Sequence, residues 1–89
     1  MKTIRMIVKG KVQGVYFRAS AKKTADQLNI SGWIRNLPDR NVEILASSSD
    51  EELEKFIYWC RQGPPGAEVK EVIVENMPDE SFPGFRIKK

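Results

Sequence analysis

Histidine is absent from this 89-residue chain, and cysteine occurs only once, at Cys60. Histidine is the commonest metal ligand and the usual general base near neutral pH, so the ordinary residues for a transition-metal site and for histidine-based catalysis are missing. A single cysteine cannot form an intrachain disulfide. We therefore expect no metal, no cofactor and no disulfide scaffold.

Long hydrophobic runs are also absent. No stretch approaches the roughly 18 apolar residues of a membrane span. The apolar segment near the N-terminus is interrupted by Arg5 and Lys9, which is not typical of a signal peptide. Repeats and low-complexity segments are absent as well, and the length suits one domain over residues 1–89. The sequence therefore predicts a single cytoplasmic domain with no membrane partner.

Hydrophobic periodicity predicts a strand and then a helix in the first third of the chain. Ile4, Met6 and Val8 alternate with less apolar positions, a pattern typical of a strand with one buried face. After Arg18, apolar residues recur at helical spacing, and we expect residues 29–32 to close that helix.

Similar patterns continue in the second half. Short strands over 33–37 and 42–47 flank a Pro-Asp turn and predict a hairpin. Ser49 and Glu52 can form a capping box at the start of a second helix, which Gly63 would end.

Two more strands complete the predicted order, one over 69–77 and a short one at Phe85 and Ile87. The order βαββαβ plus a short C-terminal strand indicates an α+β, ferredoxin-like α/β sandwich with two helices on one face of an antiparallel sheet. Cys60 lies on the apolar face of the second helix and is expected to be a buried structural thiol. Aromatic residues that we expect to pack at the edges of the core are Trp33, Tyr58 and Trp59.

Charge is distributed unevenly along the chain. Residues 1–40 carry a net +7 and residues 41–89 a net −4, within an overall charge of +3. The basic half would attract anionic partners, either small substrates or nucleic acid. A nucleic-acid-binding module is thus one alternative, since RNA-recognition domains share the βαββαβ layout. Their Lys/Arg-Gly-Phe/Tyr-Gly/Ala-Phe-Val motif does not occur here, and we predict no nucleic-acid partner.

The segment VKGKVQGVYFR at residues 8–18 combines glycines with an arginine at the expected start of a helix. A helix N-terminus carries partial positive charge and unbonded N–H groups, so Arg18 there is favourable only with an anion nearby. Gly10 and Gly14 can adopt positive φ and turn successive N–H groups toward one point. The loop and Arg18 could together hold a phosphate. The alternative is a tight strand-to-helix turn with Arg18 pointing into water.

The same residues resemble the first signature of the acylphosphatase family. There an aliphatic residue is followed by Gly-x-Val-Gln-Gly-Val-x-Phe-Arg, and every fixed position is met between Val8 and Arg18. The GPPGA stretch at 63–67 and the GFRI ending at 84–87 extend the similarity over nearly the full chain. Residues that fall on a second signature of the family are Gly32, Trp33, Arg35, Asn36 and Val42.

This resemblance implies a small monomeric enzyme that hydrolyses acyl phosphates, and it implies which residues act. The catalytic pair would be Arg18, which binds the phosphate, and Asn36, which positions the attacking water. The substrate-binding residues would be Lys11, Val12, Gln13, Gly14, Val15, Tyr16, Phe17 and Arg18.

Three positions depart from the second signature: Ile34 replaces a smaller residue, and Arg40 and Ser48 replace glycines. Arg40 lies in the predicted hairpin turn, where positive φ favours glycine. We expect Asn41 to take over that conformation, because asparagine tolerates it well.

The loop also restricts the mechanism. None of the residues from Gly10 to Arg18 is serine, threonine or cysteine, and Tyr16 is a poor candidate for a nucleophile, so hydrolysis should proceed by direct water attack. An acyl phosphate suits such a site because its carboxylate leaves without being protonated. Asp39 and Glu43 could act as bases, but we expect ordinary surface roles for them. A further alternative is a carbamoyl-phosphate-handling domain of the same fold, as in larger maturation proteins.

Overall fold

The computed structural model describes residues 1–88. Its elements, in chain order, are β1 (Lys2–Lys11), α1 (Phe17–Gln27), β2 (Ser31–Asn36), β3 (Val42–Ser48), α2 (Asp50–Gln62), β4 (Glu68–Met77) and β5 (Phe85–Ile87). The predicted βαββαβ order with a short C-terminal strand is confirmed.

The five strands form one sheet in the order β4-β1-β3-β2-β5. Strand β1 pairs antiparallel with both β3 and β4, and β2 pairs antiparallel with β3. Strand β5 differs, since it runs parallel to β2, with Gly32 opposite Phe85 and Ile34 opposite Ile87. The sheet is therefore mixed rather than wholly antiparallel. Alternation along a strand indicates which face is buried and not the direction of the neighbouring strand, so the parallel pairing of β5 was not predictable from it.

The core lies between the sheet and the two helices. Met6 and Val8 on β1 and Ile34 on β2 are fully buried against Phe17 of α1 and Phe56 of α2. Strand β3 lies between β1 and β2 and is buried along its whole length, which is why its polar residues need partners inside the protein.

The largest difference from the predicted boundaries lies between α1 and β2. Helix α1 ends at Gln27, and β2 begins at Ser31, two residues before the predicted start. Ser31 and Gly32 have the composition of a turn, yet both pair with β3, with Gly32 opposite Ala46. Pairing to a neighbouring strand outweighs the local preference.

Helix α2 begins and ends as predicted. The Ser49 hydroxyl accepts a hydrogen bond from the Glu52 backbone N–H at 3.3 Å, and Gly63 ends the helix with φ 71°. Cys60 is fully buried, as expected, and burial raises the pKa of its thiol above the ordinary value. Trp59 packs against the core, whereas Tyr58 remains 65% exposed, contrary to its expected packing.

The β2–β3 hairpin turn spans residues 37–41. The Arg40 N–H donates to the Leu37 carbonyl at 3.1 Å, and the Leu37 N–H donates to the Asn41 carbonyl at 2.8 Å. This is the pattern of a tight turn followed by a bulge, and it requires positive φ at the fourth residue. Arg40 itself has φ 74°, so the expectation that Asn41 would take over this conformation is wrong. The hydrogen bonds fix which residue takes the left-handed conformation, whatever its propensity.

Candidate active site

The loop between β1 and α1 has the conformation expected of an anion-binding turn. Gly10 and Gly14 both have positive φ, at 127° and 75°. At Gly10 the pairing with β4 shifts register, and a Cβ there would overlap the Glu68 carbonyl oxygen. At Gly14 no atom lies within 4 Å of the Cβ position, so only its backbone conformation favours glycine. Glycine is thus required at position 10 by the close approach of β4 and favoured at position 14 by its positive φ.

The N-terminus of α1 faces this loop without a side-chain cap. Tyr16 occupies the N-cap position with φ 61°, its side chain makes no capping hydrogen bond, and the first turn holds no acidic residue. Within residues 1–88, the backbone N–H groups of residues 14–17 donate to no carbonyl and no side chain. Unbonded N–H groups at a helix N-terminus form a ready anion site.

A cavity of about 430 Å³ opens at this point and brings Arg18 and Asn36 to one place. It is also lined by Val12, Gln13, Gly14, Tyr16, Phe17, Ala19 and Ile87. Seven of the nine predicted site residues therefore meet in the cavity. Lys11 and Val15 do not line it: Lys11 faces a neighbouring groove, and Val15 packs against the core.

Two lining residues were missed by sequence reasoning. Ala19 follows Arg18 on the first turn of α1, so its proximity could have been inferred. Ile87 comes from β5, at the other end of the chain, and reaches the cavity only because β5 pairs parallel with β2. Nothing local in the sequence indicates that pairing.

Asn36 has an unusual environment. It is the last residue of β2, and its side-chain Oδ1 is buried with no hydrogen-bond partner among residues 1–88. A buried carbonyl oxygen left unpaired costs about 1–3 kcal/mol. Asn36 lines the same cavity as Arg18, so this unpaired oxygen belongs to a residue of the candidate site.

Gln13 makes contacts that the sequence did not predict. Its Nε2 donates to the Leu37 carbonyl and to the Asn41 carbonyl, both at 2.9 Å. The side chain of this loop residue is therefore committed to the β2–β3 turn, while the predicted binding of phosphate by the loop concerns its backbone.

The electrostatics of the cavity favour an anion. Arg18 is half-buried and forms no ion pair within the described chain, and no carboxylate lines the cavity. Neither candidate base is present there. Asp39 accepts from the Asn41 N–H at 3.1 Å within the turn.

Glu43, the other candidate base, is buried rather than at the surface. Its carboxylate accepts from Arg5 Nε at 2.6 Å and from Arg35 Nε at 2.5 Å. Burial alone would raise the pKa of Glu43, but the two arginine hydrogen bonds outweigh it and hold the pKa below the ordinary value. Glu43 is thus an ion-paired carboxylate of the sheet.

Residues 1–88 lack two further kinds of feature. They contain no group of three or more histidine, cysteine, aspartate or glutamate side chains placed to hold a metal ion. None of their helices has the length and apolar character needed to cross a membrane.

Comparison with known proteins shows which family the chain is similar to. The sequence model of the acylphosphatase family matches residues 4–87. The chain is 48% identical, over 84 residues, to an acylphosphatase of Legionella pneumophila strain Corby, covering 94% of this chain and 92% of that protein.

Solved structures give the same result. The crystal structure of acylphosphatase from Bacillus subtilis superposes with a TM-score of 0.97 at 34% identity, and all of both chains is covered. The crystal structure of T. kodakarensis HypF also matches, with a TM-score of 0.86 and 31% identity over the whole of this chain, which covers only 12% of that longer protein.

Proposed function

This chain belongs to the acylphosphatase family and is an acyl phosphate hydrolase, and we propose that it acts by direct attack of water on phosphorus without a metal ion. The phosphate would be held by the backbone of residues 11–17 and by Arg18, and the water by Asn36. The observation that carries the proposal is the meeting of Arg18, Asn36 and an uncapped helix N-terminus in one cavity.

Binding of the phosphate is supported by the donors available to it. Backbone N–H groups of residues 14–17 have no protein partner, and the α1 dipole adds partial positive charge. The Arg18 guanidinium can donate to two phosphate oxygens at once. In a loose phosphoryl-transfer transition state, charge spreads over the equatorial oxygens, where such donors act. We call this set of donors, the N–H groups of residues 14–17 and the Arg18 guanidinium, the phosphate cradle. The cradle would therefore stabilise the transition state and the bound phosphate alike.

Positioning of the water is supported by Asn36, which lines the same cavity as Arg18. A carboxamide can accept from water and donate through its NH₂ group, and it adds no negative charge that would repel the phosphate. Because no carboxylate lines the cavity, the proton of the attacking water would pass to a phosphate oxygen or to solvent.

The nature of the leaving group makes such a simple site sufficient. The carboxylate released from an acyl phosphate is the base of an acid with a pKa of about 4, so it departs without protonation at neutral pH. Neither a general acid nor a protein nucleophile is needed. The site therefore suits acyl phosphates better than phosphate esters with poor leaving groups.

Hydrolysis of benzoyl phosphate in EDTA tests the proposal. The parent protein should hydrolyse it, and Arg18→Ala and Asn36→Ala should each lose about 100- to 1000-fold in turnover. Arg61→Ala and Asn76→Ala, which change exposed residues outside the cavity, serve as matched controls. An inactive, well-folded parent would refute the activity, and activity lost in EDTA and restored by a divalent ion would refute metal independence.

The proposed absence of a base has its own test. Asp39→Asn should retain activity, because Asp39 serves the turn and does not line the cavity. Collapse of turnover in a folded Asp39→Asn variant would contradict the mechanism.

A second candidate substrate is carbamoyl phosphate. The fold of this chain also occurs as part of a longer protein, HypF, and this agrees with the sequence-based alternative of a carbamoyl-phosphate-handling domain within larger proteins. Measuring kcat/KM for carbamoyl phosphate and benzoyl phosphate on the same preparation tests this candidate. A clear preference for carbamoyl phosphate would support this candidate.

We further propose that the enzyme works as a cytoplasmic monomer on small molecules, without a nucleic-acid partner. A single symmetric peak near 10.2 kDa in light-scattering chromatography is expected. No salt-sensitive band shift with single-stranded RNA should occur.

A further inference from the structure

We propose that Gln13 is a positioning residue for the reaction, one that fixes Asn36 relative to the phosphate-binding loop. This inference rests on the proposed function, in which the loop holds the phosphate and Asn36 holds the water. Gln13 would act through the hairpin turn and would not touch the substrate through its side chain.

The connection runs from the loop to the residue next to Asn36. Gln13 Nε2 donates one hydrogen to the carbonyl of Leu37, which directly follows Asn36, and the other to the carbonyl of Asn41. Both distances are 2.9 Å, which is within the normal range for such bonds. Both hydrogens of the amide are used, so the side chain is held at two points.

The turn itself does not need these bonds. The Leu37 carbonyl already accepts from the Arg40 N–H, and the Asn41 carbonyl already accepts from the Leu37 N–H. Removing the Gln13 amide leaves neither carbonyl without a donor. The hairpin should therefore still form without it, and the contribution of Gln13 is to join the hairpin to the loop.

The hydrogen bonds from Gln13 to the hairpin are needed because the phosphate-binding groups and Asn36 lie on different elements. Arg18 and the N–H donors belong to the β1–α1 connection, whereas Asn36 ends β2, with β3 between β1 and β2 in the sheet. The water and the phosphorus must be aligned closely, since a displacement of about 1 Å can cost on the order of 100-fold in rate. The Asn36 amide oxygen has no hydrogen-bond partner in the described chain, so no such bond holds it independently of the strand end that carries it.

Gln13→Met tests the inference, because methionine keeps the length of the side chain and removes both donors. We expect kcat for benzoyl phosphate to fall by about 10- to 100-fold, while the inhibition constant for inorganic phosphate stays within about twofold, since the cradle is unchanged. Gln62→Met, at the exposed end of α2, is the matched control and should not change either value.

A double-mutant cycle assigns the effect to Asn36. If Gln13 acts by positioning Asn36, Gln13→Met should change kcat by less than about twofold in an Asn36→Ala background. Effects that multiply, a loss of phosphate affinity equal to the loss of kcat, or an unchanged kcat in folded Gln13→Met would each overturn the inference.

Failure of the proposed function can be recognised separately. If the folded parent hydrolyses no acyl phosphate, the activity is refuted. The positioning of Asn36 by the Gln13 hydrogen bonds can then still be tested from the Asn36 side-chain amide resonances in a ¹H–¹⁵N spectrum. Gln13→Met should shift them and leave those of Asn76 unchanged. Unchanged Asn36 resonances would overturn the positioning role.

Discussion

Arg18 lies where a helix would normally carry an acidic residue or a capping side chain. A cation at a helix N-terminus is unfavourable by about 0.3–1 kcal/mol at an exposed site. The surrounding N–H groups have the same sign of partial charge, so an anion relieves both costs at once. A bound anion would thus offset the unfavourable position of Arg18 at the helix N-terminus.

Arg18→Lys tests whether geometry or charge decides binding at this position. Lysine retains the positive charge but presents a mobile point charge in place of a planar pair of donors. We expect kcat/KM for benzoyl phosphate to fall by about 10-fold or more, since charge-assisted bonds contribute about 1.5–3 kcal/mol each. Steady-state kinetics with the parent protein as reference provides the measurement. Equal kcat/KM values would mean that charge alone is sufficient.

The ionised carboxylate of Glu43 stabilises the folded protein. Its pKa is lower in the folded protein than in the unfolded chain, so folding is favoured when the carboxyl is ionised. That contribution is complete above about pH 4.5, the ordinary value, and is lost as the pH falls through the lower folded value.

Glu43→Gln should therefore lower the free energy of unfolding at pH 7 by about 1–3 kcal/mol, because Arg5 and Arg35 lose a shared charged partner. The difference from the parent should shrink as the pH falls below 4. Urea unfolding between pH 3 and 7 measures both effects. A constant difference across that range would mean that the ionised carboxylate contributes nothing.

At the scale of elements, the β2–β3 hairpin carries a strained residue. A non-glycine residue in the left-handed region costs on the order of 1–2 kcal/mol, and Arg40 has φ 74°. The exposed position of Arg40 means that little side-chain packing offsets this cost.

Arg40→Gly should raise the free energy of unfolding by about 1 kcal/mol, because glycine adopts positive φ without a steric penalty, although it also gains freedom in the unfolded chain. Arg40→Ala separates strain from charge, since it removes the guanidinium but keeps the Cβ. Thermal and urea unfolding of both variants give the comparison. If Arg40→Ala stabilises as much as Arg40→Gly, charge repulsion rather than backbone strain is responsible.

The elements also indicate what sequence reasoning can reach. Strand β1, the Ser49 cap of α2 and the positive φ of Gly14 were predictable, because each depends on neighbours in the chain. The parallel pairing of β5 was not, because it depends on a partner about fifty residues away. The two hydrogen bonds of Gln13 to the turn and the burial of Glu43 between two arginines were not predictable either, because they also depend on partners that are distant in the chain.

At the scale of the whole molecule, basic residues from both halves of the chain border the site. A groove of about 810 Å³ borders the cavity and shares Val12, Gln13 and Gly14 with it. Lys11, Arg40 and Lys70 line that groove against one carboxylate, Glu68. Most of the acidic residues lie elsewhere, including three in the first turn of α2. The potential near the loop is therefore positive.

This potential should act on the encounter with substrate rather than on the chemical step. Raising the ionic strength from about 0.01 M to 0.5 M shortens the screening length from roughly 30 Å to a few ångströms, so the attraction that extends beyond the loop is removed. We expect kcat/KM for benzoyl phosphate to fall several-fold over that range while kcat changes little. Two salts with different anions, potassium chloride and potassium glutamate, distinguish screening from competition by chloride at the cradle. A kcat that falls in parallel with kcat/KM would contradict steering, because screening of distant charges cannot alter a step that takes place between the bound phosphate, Arg18 and the water at Asn36.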